Sequence, residues 1–281
     1  MLFLEELLLM NRIFLILLLI VSQIIFAERK IVNLEIDIDN IILPDSISVP
    51  IYSFGISDEW IKVNIDDTLV LIVRNADSIK HNLHLGEFNL NLVPNQTDTI
   101  TYSKSEVSID FLADSDFEFL GLKLAIISCI STNNNFYWTL NSIDTSFNNN
   151  FNLSNSLKQK FFNPKYFLIN RKWGKSINED YNVRIQGNIY DSIFIFISNL
   201  GRSAHSLHFH GYHAKILHSS KFPNHLGRTK DTFPIYSNEY LILLLIPDKL
   251  GEYPVHDHNL IATTGGREYG NGMFTTILIN D

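Results

Sequence analysis

The chain has 281 residues, of which 46% are hydrophobic and 12% aromatic, and it carries a formal net charge of −8. This length allows one large domain or two of ordinary size. The acidic balance and the lack of a Lys/Arg run argue against nucleic-acid binding, and the abundance of Ile, Phe, Leu and Tyr favours a β-rich core.

The chain begins with an apolar segment. Residues 13–26 read IFLILLLIVSQIIF and follow Arg12, a pattern more typical of a secretory signal than of a full membrane span. We therefore expect residues 1–27 to be a signal peptide, with Met10 as an alternative start that gives a cleaner positive leader. This pattern predicts a secreted or periplasmic protein, anchored in the membrane if the segment is not cleaved.

An internal repeat organises the rest of the chain. Residues 67–84, DTLVLIVRNADSIKHNLH, align without a gap with residues 191–208, DSIFIFISNLGRSAHSLH, at an offset of 124. A second block, residues 105–119, aligns with residues 239–253 at an offset of 134. Both copies contain short strand-like segments separated by turn signals, without extended helical periodicity. The sequence thus predicts an all-β protein made of two copies of one sandwich domain.

The domain boundary is predicted from composition. Residues 141–164 are rich in Asn and Ser, as is typical of an exposed linker. We expect a first domain over residues 28–150, a linker over 151–165 and a second domain over 166–281. Cys129 is the single cysteine, which excludes an intrachain disulfide and is interpreted as a buried core residue.

Two His-x-His pairs stand out near the C-terminus. His208 and His210, and likewise His256 and His258, are spaced so that both imidazoles of a pair share one face of a strand. Four imidazoles on neighbouring strands suit Cu(II), Zn(II) or Ni(II). The alternative is that these histidines are relics, retained in the core or in hydrogen bonds without a metal.

Other polar residues lie close to these pairs. His205 is a further candidate metal ligand, and because it precedes His208 by three residues it is expected on the opposite face of the strand. Asp257 alternates with His256 and His258, so it is expected to face solvent, with a hydrogen bond from a ligand histidine as the alternative. His213 is interpreted as a strand-end residue or as a residue that supports the metal ligands, and His218 and His225 are interpreted as surface residues.

Two segments resemble the copper-binding motifs of multicopper oxidases. HSLHFHGYHAKIL resembles the first such segment of their C-terminal domain, and EYPVHDHNLIATTGGREYGNGM resembles a degraded form of the second. The resemblance is strong over residues 166–281 and weak over 30–150. It implies two tandem cupredoxin-like Greek-key β-sandwiches, copper as the cofactor with zinc as an alternative, and a homo-oligomer as seen among two-domain relatives.

The resemblance also implies roles, and the chain departs from them. In the family, the residue at His205 serves the blue copper and the His-x-His pairs serve the oxygen-reducing cluster. Asp257 occupies the position of the blue-copper Cys and Ala262 that of another ligand, so no blue copper is expected.

The first copy is more eroded. It keeps His81 and His84, but Gly86 stands at the position that aligns with His210. Residues Leu122–Leu124 are taken as the counterpart of His256–His258. His84 is expected to supply one more ligand across a domain or subunit boundary. Because two of the four His-x-His pairs are missing, four-electron oxygen reduction of the laccase type is not expected.

Two classes of function follow. The first is a copper-binding protein with a histidine-only site, acting as an oxidoreductase on a small molecule or on oxygen species. The second is a non-catalytic scaffold, or a protein that stores or delivers copper.

Overall fold

The computed structural model describes residues 27–132, 134–149, 161–265 and 267–281. Nearly all of the predicted signal peptide and most of the predicted linker lie outside the described residues. Within the described ranges, no helix has the length and apolar character needed to cross a membrane.

The first half of the chain forms a β-sandwich. One sheet has the strand order β2-β1-β4-β7 and the other the order β3-β9-β8-β5-β6. The strands of the first sheet are β1 (Arg29–Ile42), β2 (Ser48–Ser53), β4 (Thr68–Asn75) and β7 (Thr97–Tyr102). Those of the second are β3 (Trp60–Asn64), β5 (His81–Leu85), β6 (Phe88–Leu92), β8 (Ser108–Asp114) and β9 (Lys123–Cys129). Alternating apolar residues from both sheets, such as Leu71 and Leu83, form the core between them.

The second half forms a larger sandwich. A six-stranded sheet has the order β11-β10-β13-β18-β15-β16 and a five-stranded sheet the order β12-β22-β19-β14-β17. The six strands are β10 (Asn135–Ile143), β11 (Tyr166–Ile169), β13 (Ile193–Asn199), β15 (Ala214–Ser219), β16 (Thr229–Lys230) and β18 (Tyr240–Leu245). The five are β12 (Gln186–Asn188), β14 (His205–Phe209), β17 (Thr232–Ile235), β19 (Gly251–Asp257) and β22 (Phe274–Asn280). A short hairpin is formed by β20 (Thr264–Gly265) and β21 (Glu268–Tyr269).

Helical structure in the described residues is limited to single turns. They are two α-helical turns, Thr145–Asn149 and Lys175–Asn178, and two 3₁₀ turns, Glu118–Leu120 and Pro223–His225. The prediction of an all-β protein with two tandem sandwiches is confirmed.

Strand pairing shows that the two sandwiches share one topology. The parallel pair β1 and β4 has its counterpart in the parallel pair β10 and β13. Likewise β5 pairs with β6 and β8 as β14 pairs with β17 and β19. The duplication predicted from residues 67–84 and 191–208 therefore extends over all strands of the first sandwich and over all of the second except β15, β16 and the short hairpin β20–β21.

The pairing corrects the second part of the predicted repeat. Leu83 lies opposite Asp114 as Leu207 lies opposite Asp257, which gives an offset of 143 for these strands instead of 134. The counterpart of HDH is therefore residues 113–115, not 122–124. Since the offset is 124 at β5 and 143 at β6, the second copy has 19 additional residues between β14 and β17. They include β15 and β16.

The pairing also moves the predicted domain boundary. β10 lies within the predicted first domain but forms ladders with β11 and β13 of the second sandwich. The Asn/Ser-rich stretch therefore connects β10 and β11 within one sandwich. Composition did not reveal this, because a polar connection inside a domain has the same composition as a linker between domains.

The sandwiches are joined by an apolar layer and a buried carboxylate. Ile127 of β9 packs in one cluster with Phe196 of β13 and Ile242 of β18. Nearby, Oε2 of Glu59 accepts hydrogen bonds from Thr139 (2.8 Å) and Asn141 (2.6 Å), and its Oε1 lies 3.1 Å from Nε of Arg171. Because these three partners belong to the second sandwich, Glu59 ties the two units together.

Candidate metal centre

Two adjacent strands place four imidazoles on one face. β14 and β19 are antiparallel neighbours, with His208 directly opposite His256. Along β14, the side chains of His205, Leu207 and Phe209 are buried, whereas His208 and His210 point away from the core. His258 follows β19 on the same outer side and is exposed. The predicted face sharing within each His-x-His pair is therefore present, on the outer face of the sheet.

The four rings converge. The ring centroid of His208 is 4.4 Å from that of His210, 5.8 Å from that of His256 and 4.8 Å from that of His258. The rings of His210 and His256 are 5.0 Å apart, and their Nε2 atoms are separated by 2.9 Å. This distance is that of a hydrogen bond between two imidazoles.

Hydrogen bonds orient two of the rings. Nδ1 of His208 lies 2.9 Å from Oγ1 of Thr232, and Nδ1 of His256 lies 2.9 Å from the backbone carbonyl oxygen of Asp257. A carbonyl only accepts, so Nδ1 of His256 donates, and Nε2 of the neutral ring presents its lone pair to His210. Orientation of a ligand imidazole through its second nitrogen is typical of metal sites.

The electrostatics favour a neutral ring at His210. Desolvation, followed by repulsion from His208, His256 and His258, lowers the pKa of His210. Neutral imidazole is the form that binds metal, so this shift favours His210 as a ligand.

The donor set suits copper, although binding an ion requires the rings to move. Throughout the described ranges, no three His, Cys, Asp or Glu side chains already have the arrangement of a metal site. Two nitrogens bound at about 2.0 Å to one tetrahedral ion are about 3.3 Å apart, slightly farther than the Nε2 atoms of His210 and His256. An ion could therefore replace the shared proton of this pair with a small separation of the rings, and rotation of the others would complete the ligand set.

The inner face of the same strands carries a buried, hydrogen-bonded histidine–carboxylate pair. Nδ1 of His205 lies 2.6 Å from Oδ2 of Asp257, and both side chains are fully buried. Oδ1 of Asp257 accepts hydrogen bonds from the backbone N–H groups of Ser206 (3.2 Å) and Asn259 (2.8 Å). Burial alone would raise the pKa of Asp257, but the hydrogen bond and charge of His205 and the two N–H groups outweigh it and lower that pKa.

The prediction that Asp257 faces solvent is therefore wrong. The alternation with His256 and His258 is real, but the histidines occupy the outer face and the carboxylate the inner one. His205 was predicted as a metal ligand, and the structure places it with Asp257 across the sheet from the four imidazoles. Its Nε2 is buried and has no hydrogen-bond partner in the part of the chain that the structure describes.

The first sandwich repeats this inner pair. Nδ1 of His81 lies 3.1 Å from Oδ2 of Asp114, which also accepts a hydrogen bond from the backbone N–H of Asn82 (2.9 Å). Oδ1 of Asp114 accepts from the backbone N–H of Asp116 (2.9 Å). These contacts correspond one by one to those of Asp257. A second carboxylate, Asp77, lies 3.1 Å from Nε2 of His81 and accepts a hydrogen bond from Tyr52 (3.0 Å).

The outer cluster is not repeated in the first sandwich. His84 is the counterpart of His208, but Gly86, Ala113 and Ser115 occupy the other three positions. His84 lies partly buried on β5, in a different sheet from β14 and β19. A role for His84 as a ligand across a boundary stays a prediction.

The remaining histidines lie outside the cluster. His213 is exposed, and His225 stacks on Phe222 with a centroid distance of 5.2 Å. His218 was predicted to lie on the surface, but it is partly buried and lines a cavity between the sandwiches. Sequence reasoning missed this cavity because its wall combines residues from both halves of the chain.

Comparison with solved structures agrees with this architecture. A blue copper oxidase from Nitrosomonas europaea is 19% identical, with a TM-score of 0.74 over 90% of this chain and 86% of that chain. The multicopper oxidase mgLAC is 15% identical, with a TM-score of 0.75 over 90% and 87%. A copper nitrite reductase from Nitrosomonas europaea is 14% identical, with a TM-score of 0.69 over 90% and 95%. At these identities the likeness concerns the fold.

The fold and the paired inner and outer faces define a protein of two tandem cupredoxin-like domains. The multicopper oxidase family profile matches residues 146–277, a range that includes the strands of the second sandwich from β11 onward. A search of curated protein sequences gave no significant match. Over residues 146–277 the chain therefore resembles multicopper oxidases in sequence, and over both sandwiches it has the fold of two-domain copper proteins.

Proposed function

We propose that the protein binds copper through the imidazoles of His208, His210, His256 and His258. The observation that carries this proposal is the convergence of the four rings, with Nε2 of His210 and Nε2 of His256 2.9 Å apart. The match of residues 146–277 to the multicopper oxidase profile supports copper over zinc or nickel, for which the same four nitrogens would also be suitable ligands.

The protein residues around the cluster have distinct tasks. Thr232 and the carbonyl of Asp257 fix the orientation of two rings, while His210 and His258 remain exposed and give ions and small molecules access from solvent. Copper bound here would supply one-electron chemistry or polarise a bound oxygen atom. The inner face lacks the thiolate that tunes a blue copper, so the proposal does not include laccase-type turnover.

Exposure of the cluster favours a second candidate function. A protein that stores or delivers copper needs a site from which the ion can exchange, and His210 and His258 are both exposed. An oxidoreductase would in addition turn over a small phenol or an oxygen species. Assays of oxygen consumption and peroxide dismutation with the copper-loaded protein distinguish the two candidates.

Metal titration of the purified full chain tests the proposal. We expect about one equivalent of Cu(II), nitrogen hyperfine splitting in the electron paramagnetic resonance spectrum, and a rise in Tm with added copper. His256→Ala should weaken binding by at least about tenfold, the loss that a missing ligand or ligand partner typically causes. His225→Ala is the matched control, because His225 lies in the 3₁₀ turn Pro223–His225 and should leave binding unchanged. Equal copper affinity for the wild type and His256→Ala would refute the proposal.

We also propose export of the protein, based on the apolar run 13–26 after Arg12. Intact mass measurement of the protein from its native compartment tests cleavage near residue 27. An N-terminal segment that remains attached would instead indicate an anchor.

A further inference from the structure

A cavity of about 370 Å³ opens at the edge of the layer between the two sandwiches. Its wall includes Cys129 at the end of β9, Phe194 and Phe196 on β13, and Leu217 and His218 on β15. The cavity is thus built by both halves of the chain and lies apart from the four-imidazole cluster on β14 and β19. Sites for small molecules commonly lie between domains and are mostly apolar, with a few polar groups.

An irregularity in β15 shapes this wall. The register between β15 and β18 shifts between Ile216 and His218. In a regular strand, the adjacent residues Leu217 and His218 would point to opposite faces, yet both line the cavity. A bulge redirects side chains in this way and often lies next to a functional site. β15 belongs to the 19 residues that the first sandwich lacks, so this wall is specific to the second copy.

His218 provides a polar group within the apolar wall. Its ring stacks on Tyr240 with a centroid distance of 4.9 Å and an interplanar angle of 4°. No hydrogen bond to its ring nitrogens is formed by the residues that the structure describes. Burial lowers the pKa of His218, which favours a neutral ring able to accept one hydrogen bond and donate another.

We propose that this cavity binds a neutral aromatic small molecule whose polar group forms a hydrogen bond with His218. Neutrality follows from the lining, which contains no Asp, Glu, Lys or Arg among the described residues. The rings of Phe194 and Phe196 favour aromatic ligands. An apolar cavity of about 150 Å³ holds benzene, so a ligand of about fifteen non-hydrogen atoms is expected.

Fluorescence titration of the full chain with N-phenyl-1-naphthylamine tests the proposal. This neutral probe has aromatic rings and one N–H group, and its emission rises in an apolar environment. We expect saturable one-to-one binding that also slows maleimide labelling of Cys129, the single cysteine. A linear rise without saturation would overturn the proposal.

Three variants locate the probe. Leu217→Trp fills the cavity and should weaken binding at least about tenfold. Ile38→Trp, at an exposed position of β1, should leave binding unchanged. His218→Phe keeps the ring but removes its nitrogens, and should weaken binding about threefold to tenfold, as expected for one lost hydrogen bond. If Leu217→Trp does not fold, Val107→Trp at the mouth replaces it, since Val107 is 38% exposed. Unchanged binding in the folded cavity-filling variant would overturn the proposal.

Discussion

At the scale of single residues, Asp114 and Asp257 have the same role in the two sandwiches. Each carboxylate is hydrogen-bonded to the ring of a buried histidine. It also accepts hydrogen bonds from two backbone N–H groups, one of the residue after that histidine and one of the residue two positions after the aspartate. In the second sandwich this is the position where the sequence resemblance leads one to expect the blue-copper Cys. A hydrogen-bonded carboxylate–imidazole pair therefore fills the inner site in both copies.

Loss of the Asp257 carboxylate should destabilise the fold. Asp257→Ala leaves the buried ring of His205 without its hydrogen-bond partner, a change that typically costs about 1–3 kcal/mol. Asp257→Asn retains hydrogen-bonding capacity and should cost less. Urea unfolding followed by circular dichroism measures both, and Glu87→Ala, which removes an exposed carboxylate, is the control. A loss for Asp257→Ala no greater than for Glu87→Ala would contradict the structural role.

The carboxylate of Asp77 should make stability depend on acid pH. Burial would raise its pKa, but hydrogen bonds from His81, Ser78 and Tyr52 outweigh burial and lower the pKa below the ordinary 3.8. As pH falls, the unfolded chain therefore takes up this proton first, so the stabilisation is complete above pH 3.8 and lost as pH falls through the folded-state pKa.

Asp77→Asn tests this dependence. The variant should be less stable than the wild type at pH 6, and the difference should shrink as the pH is lowered below about 4. Urea unfolding at several pH values measures the effect. A constant difference between the two proteins across this range would show that ionisation of Asp77 does not contribute.

At the scale of elements, the sequence predicts well which segments are strands and which side chains share a face. It predicts less well which strand of one sandwich corresponds to which strand of the other. The gapless repeat ending at His84 and His208 identifies β4 with β13 and β5 with β14. The later block failed because short apolar strands of period two align equally well at several offsets, and the inserted β15 and β16 conceal the true one.

The candidate site was likewise predictable only in part. Spacing alone indicates that His208 shares a face with His210, and His256 with His258. Which face is buried was not predictable, because both faces of β19 carry polar side chains, with His256 outside and Asp257 inside. Only the packing of His205 and its neighbours on β14 decides the question.

The turn after β14 requires glycine. Gly211 directly follows His210, has a φ of +76°, and leaves no room for a Cβ against the ring of Tyr253. Gly227 has a similar φ of +81° but open space around the Cβ position. Gly227→Ala should therefore cost about 1–2 kcal/mol of backbone strain, and Gly211→Ala should cost more and also weaken copper binding through His210.

Urea unfolding and copper titration of the two alanine variants check this prediction. Gly227→Ala isolates the cost of the left-handed backbone, so any additional loss in Gly211→Ala reports the overlap with Tyr253. Equal losses of stability in both variants would contradict the expected clash.

At the scale of the whole molecule, the two sandwiches should unfold as one unit. Their shared apolar layer includes Ile127 and Phe196, and Glu59 of the first sandwich is buried against Arg171 of the second. Separation of the halves would expose this layer to water and leave Glu59 without its partners.

Removal of this carboxylate should weaken the joined structure. Glu59→Ala should cost about 3–5 kcal/mol, because Arg171 loses its buried partner. Glu35→Ala removes one member of an exposed pair with Arg74 and should cost about 0–1 kcal/mol.

Circular dichroism and thiol labelling of Cys129, which lies in the layer, should report the same urea midpoint for the wild type. Two separate midpoints would show that the sandwiches unfold independently.

The two inner carboxylates also bear on how the chain matures. Since His81 and His205 are each hydrogen-bonded to a carboxylate of the chain itself, neither core requires a metal ion to be complete. A newly made chain should therefore reach its native form during copper starvation and should need no metallochaperone to do so. Asp114 and Asp257 offer no thiolate to mercury or silver ions, so these ions should not interfere with folding at the two inner sites.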